Sequence, residues 1–196
     1  MNGVEVLSEF DPNLELQRIV FDFEEKPVLI KCLVDNARIN IGGATIKLIK
    51  GAEFEVPLWL ARLLVEEEQA EIKNMKSFDI PYMQTILWDE GKSQTPIELD
   101  PDFYPVVSLQ IEELAKKAET DPYALRDRER MEALLKDIIS KRRFKIIKLS
   151  QKVGDPSPFI KHLTPEELWL FKKLREQLRE WEESLLDCSK NNPCFG

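Results

Sequence analysis

The sequence predicts an α+β protein in which a small N-terminal antiparallel β domain precedes a larger all-helical bundle domain. Short β-branched runs separated by turn residues fill the first fifty-odd positions. Beyond Gly51, apolar residues recur in steps of three and four, which is the helical period. With 43% hydrophobic and 33% charged residues, the chain can form a core and a dense charged surface. We expect a β domain at 1–54, a helical domain at 55–186 and a flexible tail at 187–196.

The β domain is predicted from short segments with strand composition. The predicted strands cover Arg18–Phe23, Val28–Val34, Arg38–Ile41 and Thr45–Ile49. Asp35-Asn36 indicates a turn, and Gly42-Gly43 is a hairpin signal. Strands this short favour a small antiparallel sheet or a partly open barrel, which has little stability alone.

The helical region begins at Pro57 in this prediction. A proline is favoured as the first residue of a helix, where its missing N–H costs nothing. From Leu58 to Val65 only Arg62 is polar, so we expect a helix covered on nearly every side. Its position after the strands makes it the predicted joint between the two domains.

Residues 74–105 are predicted as a connector, because four prolines and a glycine interrupt any periodicity there. Within it, the aromatic-rich segment Ile80–Trp88 is the part expected to pack down. Three helices should follow. They are predicted at Tyr104–Glu119, at Asp121–Lys152 with Asp121 as N-cap, and at Thr164–Leu186 with a Thr164/Glu167 capping box.

The last two predicted helices carry apolar stripes. In the final helix the stripe consists of Phe171, Leu174, Leu178, Trp181 and Leu185, and in the preceding one it runs from Met131 to Val153 with a charged interruption at Arg142. Such stripes favour side-by-side packing. They are wider than three or four helices readily cover, which favours a partner chain. The alternative is a bundle that satisfies itself.

Residues with catalytic or ligating chemistry are scarce. The chain has one histidine, His162, and three scattered cysteines, Cys32, Cys188 and Cys194, without zinc-site spacing. Gly42-Gly43 lacks the rest of a phosphate-binding loop. We therefore expect no catalytic residue, metal site or cofactor. No signal peptide or membrane-spanning run is evident, so a protein inside the cell is expected.

Charge divides the chain. Residues 1–120 carry 23 acidic and 12 basic residues, whereas 121–196 carry 13 and 16. The net charge of −8 argues against a protein whose main role is coating DNA. The basic segment 141–152 is the one candidate for nucleic-acid contact, but Phe144 and two isoleucines interrupt it. Arg142 lies on the apolar stripe, where an arginine is tolerated only if it is paired or lies at an interface edge.

Three segments resemble the GINS family of replication factors. Val56, Pro57, Leu58, Trp59, Leu60 and Ala61 are similar, position by position, to the junction in GINS subunits that carry the β domain first. The segment from Arg142-Arg143 to Ile146 resembles an arginine-rich stretch in a long GINS helix. The segment from Leu163-Thr164 to Glu167 resembles the start of that domain's last helix. The domain order is similar to that of the archaeal subunit related to the second and third partner subunits of the eukaryotic complex.

This resemblance implies a non-catalytic subunit that scaffolds and activates the MCM replicative helicase in DNA replication. It implies a heterotetramer, with two copies of this chain and two of a sister subunit of opposite domain order. The other implied partner is a RecJ-like nuclease homologue, with DNA contact indirect or weak and no membrane. The implied location is cytoplasmic, at replication forks. The connector at 74–105 and the tail match nothing in the family pattern.

The residues expected at the partner interface are Phe171, Leu174, Leu178 and Trp181, with Arg142 and Arg143 at its edge. Val56, Pro57, Leu58, Trp59 and Leu60 are expected at the interdomain junction, where Trp59 and Leu60 would fix the β domain onto the bundle. The alternative interpretation is a helical module that binds nucleic acid directly through the basic cluster at 141–152.

Overall fold

The computed structural model describes residues 12–35, 38–41, 44–152, 154 and 156–191. It separates into two compact units, Met1–Lys76 and Ser77–Gly196. The helix and the strand that follow residue 57 contact the sheet of the first unit. The predicted domain boundary between residues 54 and 55 stays a prediction.

The first unit contains two helices and five strands. They are α1 (Pro12–Glu24), β1 (Pro27–Cys32), β2 (Arg38–Ile41), β3 (Ala44–Lys47), β4 (Glu53–Pro57), α2 (Leu58–Glu66) and β5 (Ala70–Ile72). A three-stranded antiparallel sheet has the order β4-β1-β5, and β2 pairs with β3 separately. Gly42-Gly43 and Asn36, of the predicted turns, lie outside the described residues.

One buried cluster holds the first unit together. Ile30 of the central strand β1 pairs in register with Phe54 on one side and Ile72 on the other. Its members come from the strands, α2 and the segment after β3, namely Ile30, Cys32, Leu48, Val56, Leu60, Ala61, Leu64 and Ala70. Apolar area removed from water is the main stabilising contribution to such a core.

Three predictions in this unit differ from the structure. The segment Arg18–Phe23 is helical, because its inward residues, Leu16, Ile19 and Phe23, follow a three-and-four spacing. The helix after Pro57 is not covered on every side: Leu58, Leu60, Ala61 and Leu64 are buried, while Trp59, Leu63 and Val65 are exposed. Pro57 ends β4 and is the N-cap of α2, so the helix begins at Leu58 and not at Pro57 as predicted.

The second unit is all-helical. Its elements are α3 (Ile80–Lys92), α4 (Phe103–Lys117), α5 (Pro122–Ser150), α6 (Ser157–Ile160) and α7 (Pro165–Asn191). The long α5 is central, because α3, α4 and α7 all pack against it. An aspartate caps each of two helices: Asp79 accepts a hydrogen bond from the Tyr82 backbone N–H, and Asp121 accepts one from that of Tyr123, both at 2.8 Å.

The prediction of a connector at 74–105 is corrected by α3. Three residues of this helix, Met83, Ile86 and Glu90, are buried at helical spacing. Pro81 lies in the first turn, so its missing N–H does not interrupt the hydrogen-bond ladder. The helix predicted to run to about Lys152 ends at Ser150.

The α+β fold class is confirmed: a small N-terminal sheet is followed by a larger helical bundle. In the described part of the chain, none of the helices combines the length and apolar character that crossing a membrane requires.

Candidate protein-interaction site

Arg142 lies at the centre of the helical unit, with none of its side chain exposed. Its guanidinium binds both carboxylate oxygens of Glu167: Nε donates to Oε1, and Nη2 donates to Oε2 at 2.6 Å. Nη1 donates to Glu90 Oε2 at 3.0 Å. Two backbone carbonyls complete the set, Ile97 O at 2.9 Å and His162 O at 3.1 Å. This buried charge is therefore paired through all three guanidinium nitrogens.

Glu167 connects Arg142 to the start of α7. Its Oε2 accepts the Thr164 backbone N–H at 3.1 Å, and its own backbone N–H donates to Thr164 Oγ1 at 3.4 Å. These reciprocal bonds form the predicted capping box. The Tyr104 hydroxyl of α4 donates to Glu167 Oε1 at 2.6 Å. Glu167 therefore has two roles. It caps α7, and its carboxylate pairs with Arg142 of α5 and accepts a hydrogen bond from Tyr104 of α4.

Glu90 connects α5 to α3. The carboxylate is 1% exposed, and its Oε1 lies 2.6 Å from Lys145 Nζ. Lys145 Nζ also donates to the carbonyls of Glu90 at 2.6 Å and Thr95 at 3.0 Å. The Ile97 backbone N–H donates to Glu90 Oε2 at 3.1 Å, which fixes the segment after α3. Two positive and two negative side chains therefore balance in this network.

The network shifts the pKa of its titratable groups. Burial, and then the adjacent Glu167 carboxylate, hold the pKa of Tyr104 far above its ordinary value, so the hydroxyl remains a donor. Burial acts to lower the pKa of Arg142, but hydrogen bonding and attraction to Glu167, and attraction to Glu90, outweigh it and raise the pKa. Neighbouring Glu166 has a raised pKa because it is partly buried. The arrangement suits a permanent structural charge rather than proton transfer.

The outer part of α7 presents an apolar stripe to solvent. Phe171 is buried with Ile146 and Leu149, and Leu174 packs against that cluster. Beyond Phe171, none of the described side chains of α7 up to residue 186 is buried. Trp181 is 60% exposed and Leu185 52% exposed. Helical residues in steps of three and four share a face, so α7 offers an uncovered apolar surface.

An open groove of about 220 Å³ lies beside the buried network. Its walls are mostly apolar, and its lining residues are Tyr104, Ile139, Arg142, Arg143, Ile146, Glu166, Glu167 and Leu170. Ile139 is 41% exposed, and Glu166 Oε2 is buried without a hydrogen-bond partner. The groove therefore combines apolar walls with one unsatisfied acceptor.

The structure separates the residues predicted at a partner interface into two groups. Arg142 and Phe171 are buried inside the unit, and the predicted role of both at a partner interface stays a prediction. Arg143 and Trp181 are exposed, while Leu174 and Leu178 are half-buried. Arginine at position 142 is tolerated because it is paired.

The predicted junction residues are divided in the same way. Val56 and Leu60 belong to the core of the first unit, and Leu58 is buried. Pro57 is half-buried, and Trp59 is 38% exposed. The proposed role of Trp59 and Leu60 between domains therefore stays a prediction, while Leu60 has a defined role in packing α2 on the sheet.

Sequence reasoning missed Glu90 and Tyr104 as partners in the charged network. A signal for Glu90 exists: it continues the apolar spacing of Met83 and Ile86, as Arg142 does on α5. A lone acid and a lone base on two apolar stripes are candidates for one buried pair. Within the described residues, no group of three or more histidine, cysteine or acidic side chains is placed to hold a metal ion.

Comparison with known proteins gives one family. The family model of the GINS complex protein helical bundle domain (Sld5) matches residues 77–186, which is more than half of the chain and begins where the helical unit begins. No curated protein matches the chain. The match spans α3 to α7, the helices that Arg142 and its carboxylate partners connect. The chain belongs to the GINS family, whose members are subunits of a replication complex and have other GINS subunits as partners.

Proposed function

We propose that this chain is the GINS subunit of archaeal type that carries its β domain first. In this proposal it assembles with a sister subunit of opposite domain order into a heterotetramer containing two copies of each. The complex scaffolds and activates the MCM helicase during DNA replication and binds a RecJ-like nuclease homologue at the fork, in the cytoplasm. Its role is organisation, and the chain performs no chemistry.

The outer stripe of α7 is the observation that carries this proposal. Leu178, Trp181 and Leu185 lie on one helical face, and the last two are more than half exposed. Most of the stability of a helix in a protein comes from packing of its apolar face, so the uncovered face of α7 favours a covering partner. Since other GINS subunits are partners of family members, the sister subunit is the expected covering chain.

The groove beside α5 supports a second contact for the same partner. Exposed Ile139 and Arg143 border it, so an apolar side chain and a positive charge are both accessible to another chain there. In this proposal Arg143 lies at the edge of the interface.

The test is light scattering behind size exclusion on this chain, alone and mixed with the sister subunit. The natural chain should form a stable hetero-oligomer with the sister subunit. The double substitution Trp181→Asp and Leu185→Asp should abolish it, because two charges would be buried in the apolar interface. Both side chains are exposed, so the fold of the variant should be unchanged.

Tyr123→Asp is the control, because it places a charge at another exposed aromatic position, at the start of α5. It should leave assembly intact. A natural chain that remains monomeric with every GINS partner would contradict the proposal. Assembly that survives the α7 double substitution would remove α7 from the interface.

The helicase role needs a separate measurement. DNA unwinding by MCM should increase when the assembled complex is added and should not increase with the α7 double variant. Stimulation by the isolated chain, without its sister subunit, would contradict a role that depends on assembly.

Direct nucleic-acid binding through residues 141–152 is the second candidate. The structure removes two charges from that cluster, because Arg142 is buried and Lys145 is paired with Glu90. The whole cluster therefore does not form one basic surface.

A further inference from the structure

Two exposed aromatic rings lie among lysines on the helical unit. Phe144 of α5 is 72% exposed, and Trp88 of α3 is 65% exposed. Lys141, Lys148 and Lys92 are exposed as well. Large apolar rings on a surface indicate an interaction site more strongly than scattered aliphatic residues do. We refer to Trp88, Lys92, Lys141, Phe144 and Lys148 as the basic–aromatic patch.

The α5 members of the patch share one face. Lys141, Phe144 and Lys148 follow at three and four residues, so their side chains are adjacent along the helix. Asp137 adds one carboxylate a turn earlier, and Arg130 adds a positive charge beyond it. Lys145, between Phe144 and the core, is turned inward to Glu90.

The α3 members adjoin this face. A Cβ atom placed on Gly91 would lie 3.5 Å from Lys141 Nζ, so Lys141 reaches the surface of α3. Trp88 lies one helical turn before Gly91, and Lys92 is the residue after Gly91. The Lys92 ammonium lies 4.5 Å from the centroid of the Trp88 ring. Lys141 therefore links the α5 face to the part of α3 that carries Trp88 and Lys92.

This combination has a specific chemistry. Lysines neutralise phosphates, and an exposed ring stacks on a base whatever its sequence. Bases in a duplex are already stacked on one another, so only a single strand can use the rings. A basic surface for double-stranded DNA would need lysines alone.

We propose that the basic–aromatic patch binds single-stranded DNA, with bases stacked on Trp88 and Phe144 and phosphates bound by Lys92, Lys141 and Lys148. Membership of a replication complex selects DNA over RNA as the ligand. The proposal does not depend on α7, because no patch residue lies on that helix. It also differs from binding by the whole 141–152 cluster, since Arg142 and Lys145 have no part in it.

The test is fluorescence anisotropy of a labelled oligodeoxythymidylate of about 20 nucleotides, titrated with the full chain at about 50 mM salt. Three phosphate contacts predict a log–log salt slope of about −2, and Lys148→Ala should reduce its magnitude by about 0.7. Phe144→Ala and Trp88→Ala should each raise the Kd at least about fivefold, through loss of one stacked base. The slope should not change in these two variants.

Matched controls use residues outside the patch. Tyr123→Ala removes an exposed ring, and Lys136→Ala removes an exposed charge, from other parts of α5. Both should bind the oligonucleotide as the natural chain does. The Trp88 and Phe144 variants should still assemble with the sister subunit, which separates failure here from failure of the proposed function.

Three results would overturn the proposal. One is no binding by the natural chain at low salt. Another is binding that the lysine substitution weakens but both aromatic substitutions leave unchanged, which indicates a protein-binding or nonspecific basic surface. The third is tighter binding to a duplex or to oligouridylate of the same length than to oligodeoxythymidylate.

Discussion

Arg142 illustrates how a single charge on an apolar stripe restricts the structures available to its neighbours. Removing an ion from water costs several kcal/mol or more unless partners replace its hydration. Here the partners come from separate segments: Glu90 of α3, Glu167 of α7 and the carbonyls of Ile97 and His162. Any rearrangement of these segments would leave a buried charge unpaired, so the network specifies their arrangement around α5.

Replacing Arg142 by alanine should strongly destabilise the helical unit. The substitution leaves the Glu90 and Glu167 carboxylates buried without their cation, which costs roughly 3–5 kcal/mol in the free energy of unfolding. Urea denaturation followed by circular dichroism measures this difference. Arg143→Ala, at the exposed neighbouring position, should change it by less than about 0.5 kcal/mol. Equal effects of the two substitutions would contradict the assigned role of the network.

Glu166 has the opposite effect on stability at neutral pH. Burial raises its pKa above the ordinary value of 4.5, so the native state holds the proton more tightly than the unfolded chain. A raised native pKa contributes stability that is fully present below the unfolded pKa and is lost as pH rises through the native pKa. Ionised Glu166 therefore costs stability at pH 7.

Glu166→Gln should raise the free energy of unfolding at pH 7, because the amide keeps an acceptor and carries no charge. The gain should disappear as pH falls below about 4.5, where the glutamate is protonated in both states. The gain is measured by comparing the denaturation midpoints of the natural chain and the Glu166→Gln variant from pH 7 to below pH 4.5. Exposed Glu176, held by Lys173, has a lowered pKa, and Glu176→Gln should show no such gain. A constant difference at all pH values would rule out the titration of Glu166 as its cause.

At the scale of elements, sequence pattern was sufficient where a local signal and the packing agreed. The ranges of α4, α5 and α7 follow from caps such as Asp121 and Thr164 and from apolar residues at helical spacing. The strand prediction for Arg18–Phe23 was wrong because six alternating residues can also match a helical spacing. Only the buried face of α1 decides between strand and helix. The predicted connector concealed α3 because, in the sequence, a proline in the first turn of a helix looks the same as a proline in a loop.

The candidate site was predictable only in part for a related reason. The periodic stripe of α7 is visible in the sequence, and so is the Thr164/Glu167 capping box. Whether Phe171 or Trp181 remains exposed depends on where α7 leaves the core, which is a property of tertiary packing. The pairing of Arg142 with Glu90 spans 52 residues and has no local pattern.

The N-terminus of α7 can be tested by its cap. Thr164 is fully buried, and its hydroxyl accepts the Glu167 backbone N–H. Thr164→Ala should lower the free energy of unfolding by about 1 kcal/mol, the usual cost of a lost N-cap. Thr164→Ser keeps the hydroxyl and should recover most of the loss, which distinguishes the cap from packing of the methyl group. Thermal or urea unfolding monitored by helical ellipticity provides the comparison.

At the scale of the whole molecule, each unit has its own core. Ile30 lies at the centre of the sheet in the first unit, and Ile138 lies on the buried face of α5 in the second. Both side chains are fully buried. The family match begins at residue 77, where the second unit begins, so the helical unit is also the unit that the family shares.

This arrangement leads us to expect local effects from core substitutions. Ile30→Ala should cost about 2–5 kcal/mol in the local stability of the sheet, through lost burial and the cavity left behind. Ile138→Ala should cost a similar amount in the helical unit. Hydrogen exchange measured by mass spectrometry reads each segment separately. We expect Ile30→Ala to accelerate exchange in β1 and β4 only, and Ile138→Ala to accelerate it in α5 only. If Ile30→Ala accelerated exchange equally in α5, the two units would unfold as one cooperative structure, and the division after Lys76 would have no energetic meaning.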